Sequence, residues 1–223
     1  MENMKESRLF CSMTEEEIEK CLKCSGAMIK TYCSDEIVFH QFDAPERLFV
    51  LLEGSVTICQ DTNFGKRNIM TQIQRKGDIF GEVYLFMEHK HYEVYGVVSE
   101  YARVLQIPKH FFYRSCSNNC RHHEKLIYNL ISIMADKAYM LNRKLQLMSC
   151  GTLREKIARF LSESFAENNN INLSMTREEM ADYLGVARPS LSRELMKMKE
   201  DGIIEIKGKS VKVLNEKALL EYL

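Results

Sequence analysis

The chain has 223 residues, 45% hydrophobic and 28% charged, with Lys+Arg and Asp+Glu balanced at 31 each. That length allows one large or two small domains with true cores, and the charge balance excludes a uniformly basic nucleic-acid coat while leaving room for a local basic face. No apolar run is long enough to span a bilayer, the 10 glycines and 3 prolines are too few for collagen-like or low-complexity chains, and the polar first eight residues lack the apolar stretch of a signal peptide. A cytoplasmic protein with no membrane partner is expected, and its eight cysteines are expected to be reduced.

Thr14 followed three residues later by Glu17 is a capping-box pattern, and it predicts a helix running to about Cys24. Short β-type runs separated by turns follow. They are residues 37–40, two strands within 48–59 joined at Glu53-Gly54, 68–73, 79–80, 92–98 and 102–107. Many short strands at near-regular spacing predict a small β-barrel or β-roll. From about His122 to Met148 the period becomes helical. Ile127, Met134, Leu141 and Met148 recur every seven residues, and Ile131, Ala138 and Leu145 form a second heptad set offset by four. This is the seam of a two-stranded coiled coil, and it predicts a homodimer. Residues 149–152 break the helix, Thr152 caps another from Leu153 to about Ala166, and residues 168–170 read as a loop.

The stretch 174–202 is the most informative. Thr176 and Glu179 form a second capping box, and Met180, Ala181 and Leu184 supply an inner face. Gly185 suits a sharp turn needing positive φ, and Pro189 sits in the first turn of the next helix, where no amide bond is lost. Leu191, Leu195 and Met198 face inward, while Arg188, Ser190, Ser192, Arg193 and Lys197 face out. A β-hairpin follows, with residues 203–206 and 211–213 joined through Lys207-Gly208-Lys209-Ser210. The pattern is a winged helix-turn-helix whose second helix would lie in a DNA major groove. Basic and acidic residues balance over 152–223 but are segregated, with cations on the second helix and the wing and acids on the first helix. Arg188 and Arg193 are the candidates for base reading, since Arg pairs bidentately with guanine. Ser190 and Ser192 can reach base edges or phosphates. Lys197, Lys209 and Thr176 are candidate phosphate positioners, and Arg177 and Pro189 belong to the same candidate DNA surface.

These features together resemble the superfamily of the cyclic-AMP receptor protein and the fumarate–nitrate reduction regulator (CRP/FNR). The resemblance covers about residues 13–215 and rests on Leu52-Glu-Gly-Ser-Val, Lys76-Gly-Asp-Ile-Phe-Gly-Glu, the heptad helix and Arg188-Pro-Ser-Leu-Ser-Arg. It implies an α+β fold: an N-terminal β-roll effector domain (double-stranded β-helix, jelly-roll-like) over 1–121, a dimerisation helix over 122–149 and a winged helix-turn-helix over 150–223. The expected function is that of a homodimeric transcription regulator, with no enzyme activity. Its expected partners are two-fold symmetric double-stranded DNA, a small-molecule effector and, in an activator, RNA polymerase. The family often carries Glu where this chain has Pro189, so a different operator is expected.

The effector is less legible. Gly81 and Glu82 match a ribose-binding pair, but no arginine occurs between Glu82 and Arg103, and the phosphate positions read Tyr92 and Glu93. An acidic residue there repels a cyclic phosphate, which argues against cyclic AMP. By family position Gly81, Glu82, Tyr92, Glu93, Leu141 and Asn142 would line an effector pocket, with Tyr84 and Tyr95 nearby. Cys21, Cys24, Cys33, Cys116 and Cys120 supply thiols enough for an iron–sulfur cluster. Cluster-binding members carry theirs ahead of the first helix, whereas Cys21 and Cys24 lie within it, so small buried hydrophobes are the plainer reading. His89, His91 and Glu93 would share one face of a strand, part of a cupin-like metal motif whose second half is missing. No nucleophile–base set or phosphate loop argues for an enzyme. The rival readings are a roll whose winged helix contacts protein, and a cluster-containing redox sensor of the same family.

Overall fold

The computed structural model describes residues 2–62, 66–88, 90–113, 121–163, 170–172, 175–208 and 210–223. The chain forms two compact units, Met1–Ala135 and Asp136–Leu223.

The first unit opens with α1 (Glu2–Lys5), a 3-10 turn (Arg8–Phe10) and α2 (Glu15–Ser25). The capping box of α2 is present, with Thr14 accepting from the Glu17 amide and Glu17 accepting from the Thr14 amide. Then come β1 (Met28–Cys33), β2 (Ile37–Phe39), β3 (Arg47–Asp61), β4 (Arg67–Ile73), β5 (Ile79–Phe80), α3 (Glu82–Phe86), β6 (Tyr95–Pro108) and α4 (His110–Tyr113). The sheet order is β1-β6-β3-β4, with β2 also on β6 and β5 on β3, all antiparallel. Alternation along β3 divides its apolar residues between two cores. Leu48, Val50 and Leu52 pack with Ile18, Cys21, Leu126 and Leu130. Phe49 and Leu51 face the other way, into a cluster with Tyr32, Phe39, Phe80, Tyr92 and Val104.

The short helices α1, α3 and α4 and the 3-10 turn were not anticipated in the sequence reading of this unit, and three strand features differ from it. Residues 48–59 lie in one strand, not two, because Gly54 (φ +81°) forms a bulge and not a hairpin turn. A Cβ on Gly54 would collide with the Tyr101 carbonyl, which only glycine avoids. Likewise β6 is one strand where two were expected, and Tyr92 precedes it, held by amide–carbonyl bonds to Phe42 and Asp43. Strand β1 was not anticipated, because only Tyr32 of its six residues is buried and no apolar alternation marks it.

Helix α5 (Arg121–Ser149) matches the predicted long helix. Its Leu126, Leu130 and Ile133 bury against the roll, and its Leu147 joins the core of the second unit. The heptad residues lie about 90° around the helix from the roll-facing stripe, at 100° per residue. Ile131 (61%), Leu141 (61%), Leu145 (52%) and Met148 (66%) are exposed, Ala138 is exposed, Ile127 is half-buried, and Met134 packs partly on the roll core.

The second unit continues with α6 (Leu153–Glu163), β7 (Asn170–Asn172), α7 (Arg177–Leu184), α8 (Arg188–Glu200), β8 (Ile204–Lys207), β9 (Ser210–Val213) and α9 (Glu216–Leu220). The expected hairpin is a three-stranded sheet, β7-β9-β8, because Asn170, read as loop, starts a strand paired with β9. Helix α6 is described only to Glu163, so its predicted end near Ala166 lies outside the described residues.

Candidate nucleic-acid interface

The helix-turn-helix is built by local signals. Thr176 accepts from the Glu179 amide and Glu179 accepts from the Thr176 amide, closing a capping box at the start of α7. Gly185 ends α7 in the left-handed region (φ 65°), where its amide satisfies the carbonyls of Ala181 and Asp182. Lys156 of α6 donates to the Leu184 carbonyl at 3.5 Å, a cation at the negative end of the helix. Helix α8 starts from Ala187 with Pro189 in its first turn. Leu191, Leu195 and Met198 lock its inner face, each at 1% exposure or less. Burial of such side chains stabilises by about 1.5–3 kcal/mol apiece.

That anchoring sets the outer face. Counting 100° per residue, Pro189, Arg193, Met196 and Lys197 fall within about 100° of one another on the side away from the core. Arg188, Pro189, Arg193 and Lys197 are exposed, while Ser190 and Ser192 are half-buried at the margins. Arg193 Nε donates back to the Pro189 carbonyl at 3.3 Å, which steadies the guanidinium's stem along the helix. Arg188 lies 4.0 Å from Glu178 with both side chains largely exposed, a pair too open to hold it from a phosphate. Arg177, at the start of α7, is half-buried against Met180, and burial draws its guanidinium below the ordinary arginine range. At the wing, Gly208 takes φ +60°, Lys207 pairs with Glu205 at 2.9 Å, and Lys212 is exposed. Lys209 lies outside the described residues.

Two contributors were missed in the sequence. Met196, 49% exposed on the outer face, is an apolar group able to meet a thymine methyl. Its exposure could have been read from the helical period. Arg154 of α6 could not, because its partners lie 40–68 residues away. It donates to Glu194 at 2.5 Å, Asp201 at 2.7 Å and the Tyr222 hydroxyl at 3.3 Å. The Tyr222, Glu194 and Asp201 bonds raise its pKa above the ordinary arginine value. Glu194, an acid within the cationic segment, is thereby neutralised and turned toward α6.

The predicted effector residues divide between the two units. Gly81 (φ +77°) opens α3, Glu82 is buried, and Glu93 is exposed. Tyr92 is 2% exposed, its ring 4.3 Å from Phe39 and edge-on to Tyr84 at 5.4 Å. Its hydroxyl would lie 3.6 Å from a Cβ on Gly81. Burial and the nearby carboxylates of Asp43 and Glu82 push the Tyr92 hydroxyl's pKa well up. Gly81 and Glu82 keep the ribose-binding pair, but the phosphate positions hold the buried Tyr92 and the exposed Glu93, neither of them a cation, so the residues present do not fit a cyclic phosphate. Tyr95 donates to Asp61 at 2.9 Å. Leu141 and Asn142 are both exposed on α5 in the second unit.

Cys21 is buried in the roll core, Cys24 and Cys33 are exposed, and Cys116 and Cys120 lie outside the described residues, as does His89. Among the described residues no three His, Cys, Asp or Glu side chains converge into a metal-holding group. No helix among them is long and apolar enough to cross a membrane.

Comparison with known proteins places this geometry. Residues 155–222 match the Crp-like helix-turn-helix domain, and residues 29–119 match the cyclic nucleotide-binding domain. The chain is similar to the cAMP-activated global transcriptional regulator Vfr of Pseudomonas aeruginosa, 25% identical over 82% of this chain and 88% of that one. It is also 25% identical to the Cyclic AMP receptor protein of Thermus thermophilus, over 98% of this chain and 97% of that one. Among solved structures, the fold is shared with the Thermus thermophilus Catabolite Activator Protein (TM-score 0.53, 20% identity, 97% and 98% of the two chains). It is shared too with DNR from Pseudomonas aeruginosa (TM-score 0.52, 17% identity, 100% and 96%). With a roll of the cyclic nucleotide-binding type and a Crp-like helix-turn-helix in one chain, this protein belongs to the CRP/FNR family of DNA-binding transcription regulators.

Proposed function

We propose that the chain works as a homodimer, with two copies of α8 reading a two-fold symmetric DNA site under the control of a signal received by the roll. The observation that carries the DNA reading is the outer face of α8. Arg193 and Lys197 stand exposed there, while the acid of the segment, Glu194, is held back by Arg154. The exposed row Ile131, Leu141, Leu145 and Met148 on α5 supports pairing, because an apolar stripe of heptad spacing left outside a monomer's core is the seam another helix covers. In this reading Arg193 and Arg188 contact base edges, Met196 adds an apolar contact, and Lys197, Thr176 and the wing hold phosphates. Control is a population shift, in which the signal favours the dimer geometry whose two α8 helices match the DNA repeat. In this reading the signal differs from a cyclic nucleotide, because the buried Tyr92 and the exposed Glu93 stand where the resemblance places the phosphate-binding pair, and neither is a cation.

Selection from random duplexes tests the proposal. Enriched sequences should carry an inverted repeat with half-site centres about one helical turn apart, near 10 bp. Enrichment of no motif would overturn DNA reading. A single unrepeated half-site would overturn the dimer.

A further inference from the structure

The first turn of α8 carries an apolar side chain between two arginines. Pro189 is exposed, Arg188 precedes it, and Arg193 lies four residues on, rotated from it by about 40° at 100° per residue. The backbone around the ring has no polar group to offer outward. Proline has no amide hydrogen, and the Pro189 carbonyl accepts from Arg193 Nε at 3.3 Å. The next amide, that of Ser190, donates to the Ala187 carbonyl at 2.9 Å. What Pro189 presents outside the helix is therefore the carbons of its ring.

The N-terminal residues of a recognition helix are the ones that meet base edges. A ring of carbons there takes no part in the donor–acceptor code of the major groove. Thymine alone presents a methyl group in that groove. A cytosine amino group or a purine N7 against the ring would lose its water and gain no partner, which costs free energy that a methyl group does not. Arg193 fixes where the methyl must lie. Its Nε is tied to Pro189, so its two Nη groups are left for the N7 and O6 of a guanine. Pro189 and Arg193 are about 6 Å apart along the helix axis, less than two base steps of about 3.4 Å. Met196 lies about 10.5 Å beyond Pro189 along the axis and would meet a different base pair.

Resting on the DNA reading above, we propose that Pro189 is a specificity-determining residue: it selects thymine by its 5-methyl group, within two base pairs of the guanine held by Arg193, in each half-site.

The test uses the full chain and the duplex it selects, with each thymine exchanged in turn for deoxyuridine in both half-sites. The exchange removes the methyl and keeps the hydrogen-bonding edge. Competition anisotropy should find a thymine beside the guanine at which it weakens binding about fourfold per half-site and about fifteenfold in all, the effect of one buried carbon group on each side. At that position 5-methylcytosine should bind about fourfold tighter per half-site than cytosine. Pro189→Ser should bind the thymine and deoxyuridine duplexes equally, while Met196→Ala keeps the difference at this thymine. A merely structural role for Pro189 predicts instead that Pro189→Ser loses affinity for both duplexes alike and keeps their ratio. Tolerance of deoxyuridine at every position, or an unchanged ratio in Pro189→Ser, would overturn the proposal. Should Pro189→Ser fail to fold, the deoxyuridine and 5-methylcytosine comparisons decide by themselves, since they use the unaltered chain. A chain that selects a duplex but ignores its methyl groups loses only this proposal, whereas one that binds no duplex loses the DNA reading as well.

Discussion

At the scale of single residues, the interface depends on which charges are free and which are held. Arg193 sits mid-face on α8 with its stem tied to the Pro189 carbonyl, and Lys197 lies one residue beyond Met196 on the same side. Replacing Arg193 with Ala should lower the preference for the selected site over a site altered at one base pair by about 1–3 kcal/mol, roughly 5- to 150-fold. Lys197→Ala should instead weaken all sequences about equally and make the salt slope shallower by about one. Competition anisotropy with matched and altered duplexes separates the two outcomes. Equal effects from both variants would mean that the roles are misassigned. Arg154 makes a different prediction, because it never faces the DNA side. Its charged hydrogen bonds to Glu194 and Asp201 join α6 to α8, so Arg154→Ala should cost about 1.5–3 kcal/mol in urea unfolding of the second unit. The types and spacings on α8 could be read in the sequence, since helical period and capping chemistry are local. The Arg154 hub could not, since it is a meeting of residues far apart in the chain.

At the scale of elements, the longer helices were legible, and the short helices α1, α3, α4 and α9 and the strands less so. Two capping boxes, at Thr14 and Thr176, and the left-handed Gly185 mark helix ends through contacts of four residues or fewer. Strand limits depend on partners. Glu53-Gly54 has the composition of a hairpin turn, yet β6 runs past it as a continuous partner and turns it into a bulge. The exposed strand β1 and the short β7 exist because an edge was available to pair with, which no local pattern records. Helix α5 was legible as a helix with a seam, but not in its second stripe, Leu126, Leu130 and Ile133, which binds the roll. If the first stripe is the dimer seam, Leu145→Glu should weaken self-association at least tenfold in sedimentation equilibrium while leaving helix content unchanged. The roll-facing end of α5 also predicts a pH effect. His122 is buried near Glu17, His123 and Lys20, and burial lowers its pKa below the ordinary 6.5, with Glu17 opposing. The unfolded chain therefore takes up this proton first. The stabilisation from keeping His122 neutral is complete above about pH 6.5 and is lost as pH falls below it. Urea midpoints measured from pH 7.5 to 5 should fall, and His122→Gln should flatten that fall.

At the scale of the whole molecule, two independent cores serve two tasks. The roll of the first unit keeps Gly81 and Glu82 at the start of α3 and buries Tyr92 in its core, while the second unit presents a cationic helix on a well-packed base. Fold and DNA reading were legible because they rest on periodicity, caps and segregated charge. The signal was not, because a ligand site is a coincidence of side chains from several strands, and of the pattern the resemblance supplies this chain keeps Gly81 and Glu82 but has Tyr92 and Glu93 at the phosphate positions. The central claim, paired α8 helices on a symmetric duplex, is tested most directly by titrating the chain against its selected duplex across a salt series and measuring stoichiometry in the same samples. The account predicts two chains per duplex and an affinity that falls steeply and linearly in log–log form as salt rises, each neutralised phosphate adding about 0.9 to the slope. One chain per duplex, or an affinity indifferent to salt, would contradict it.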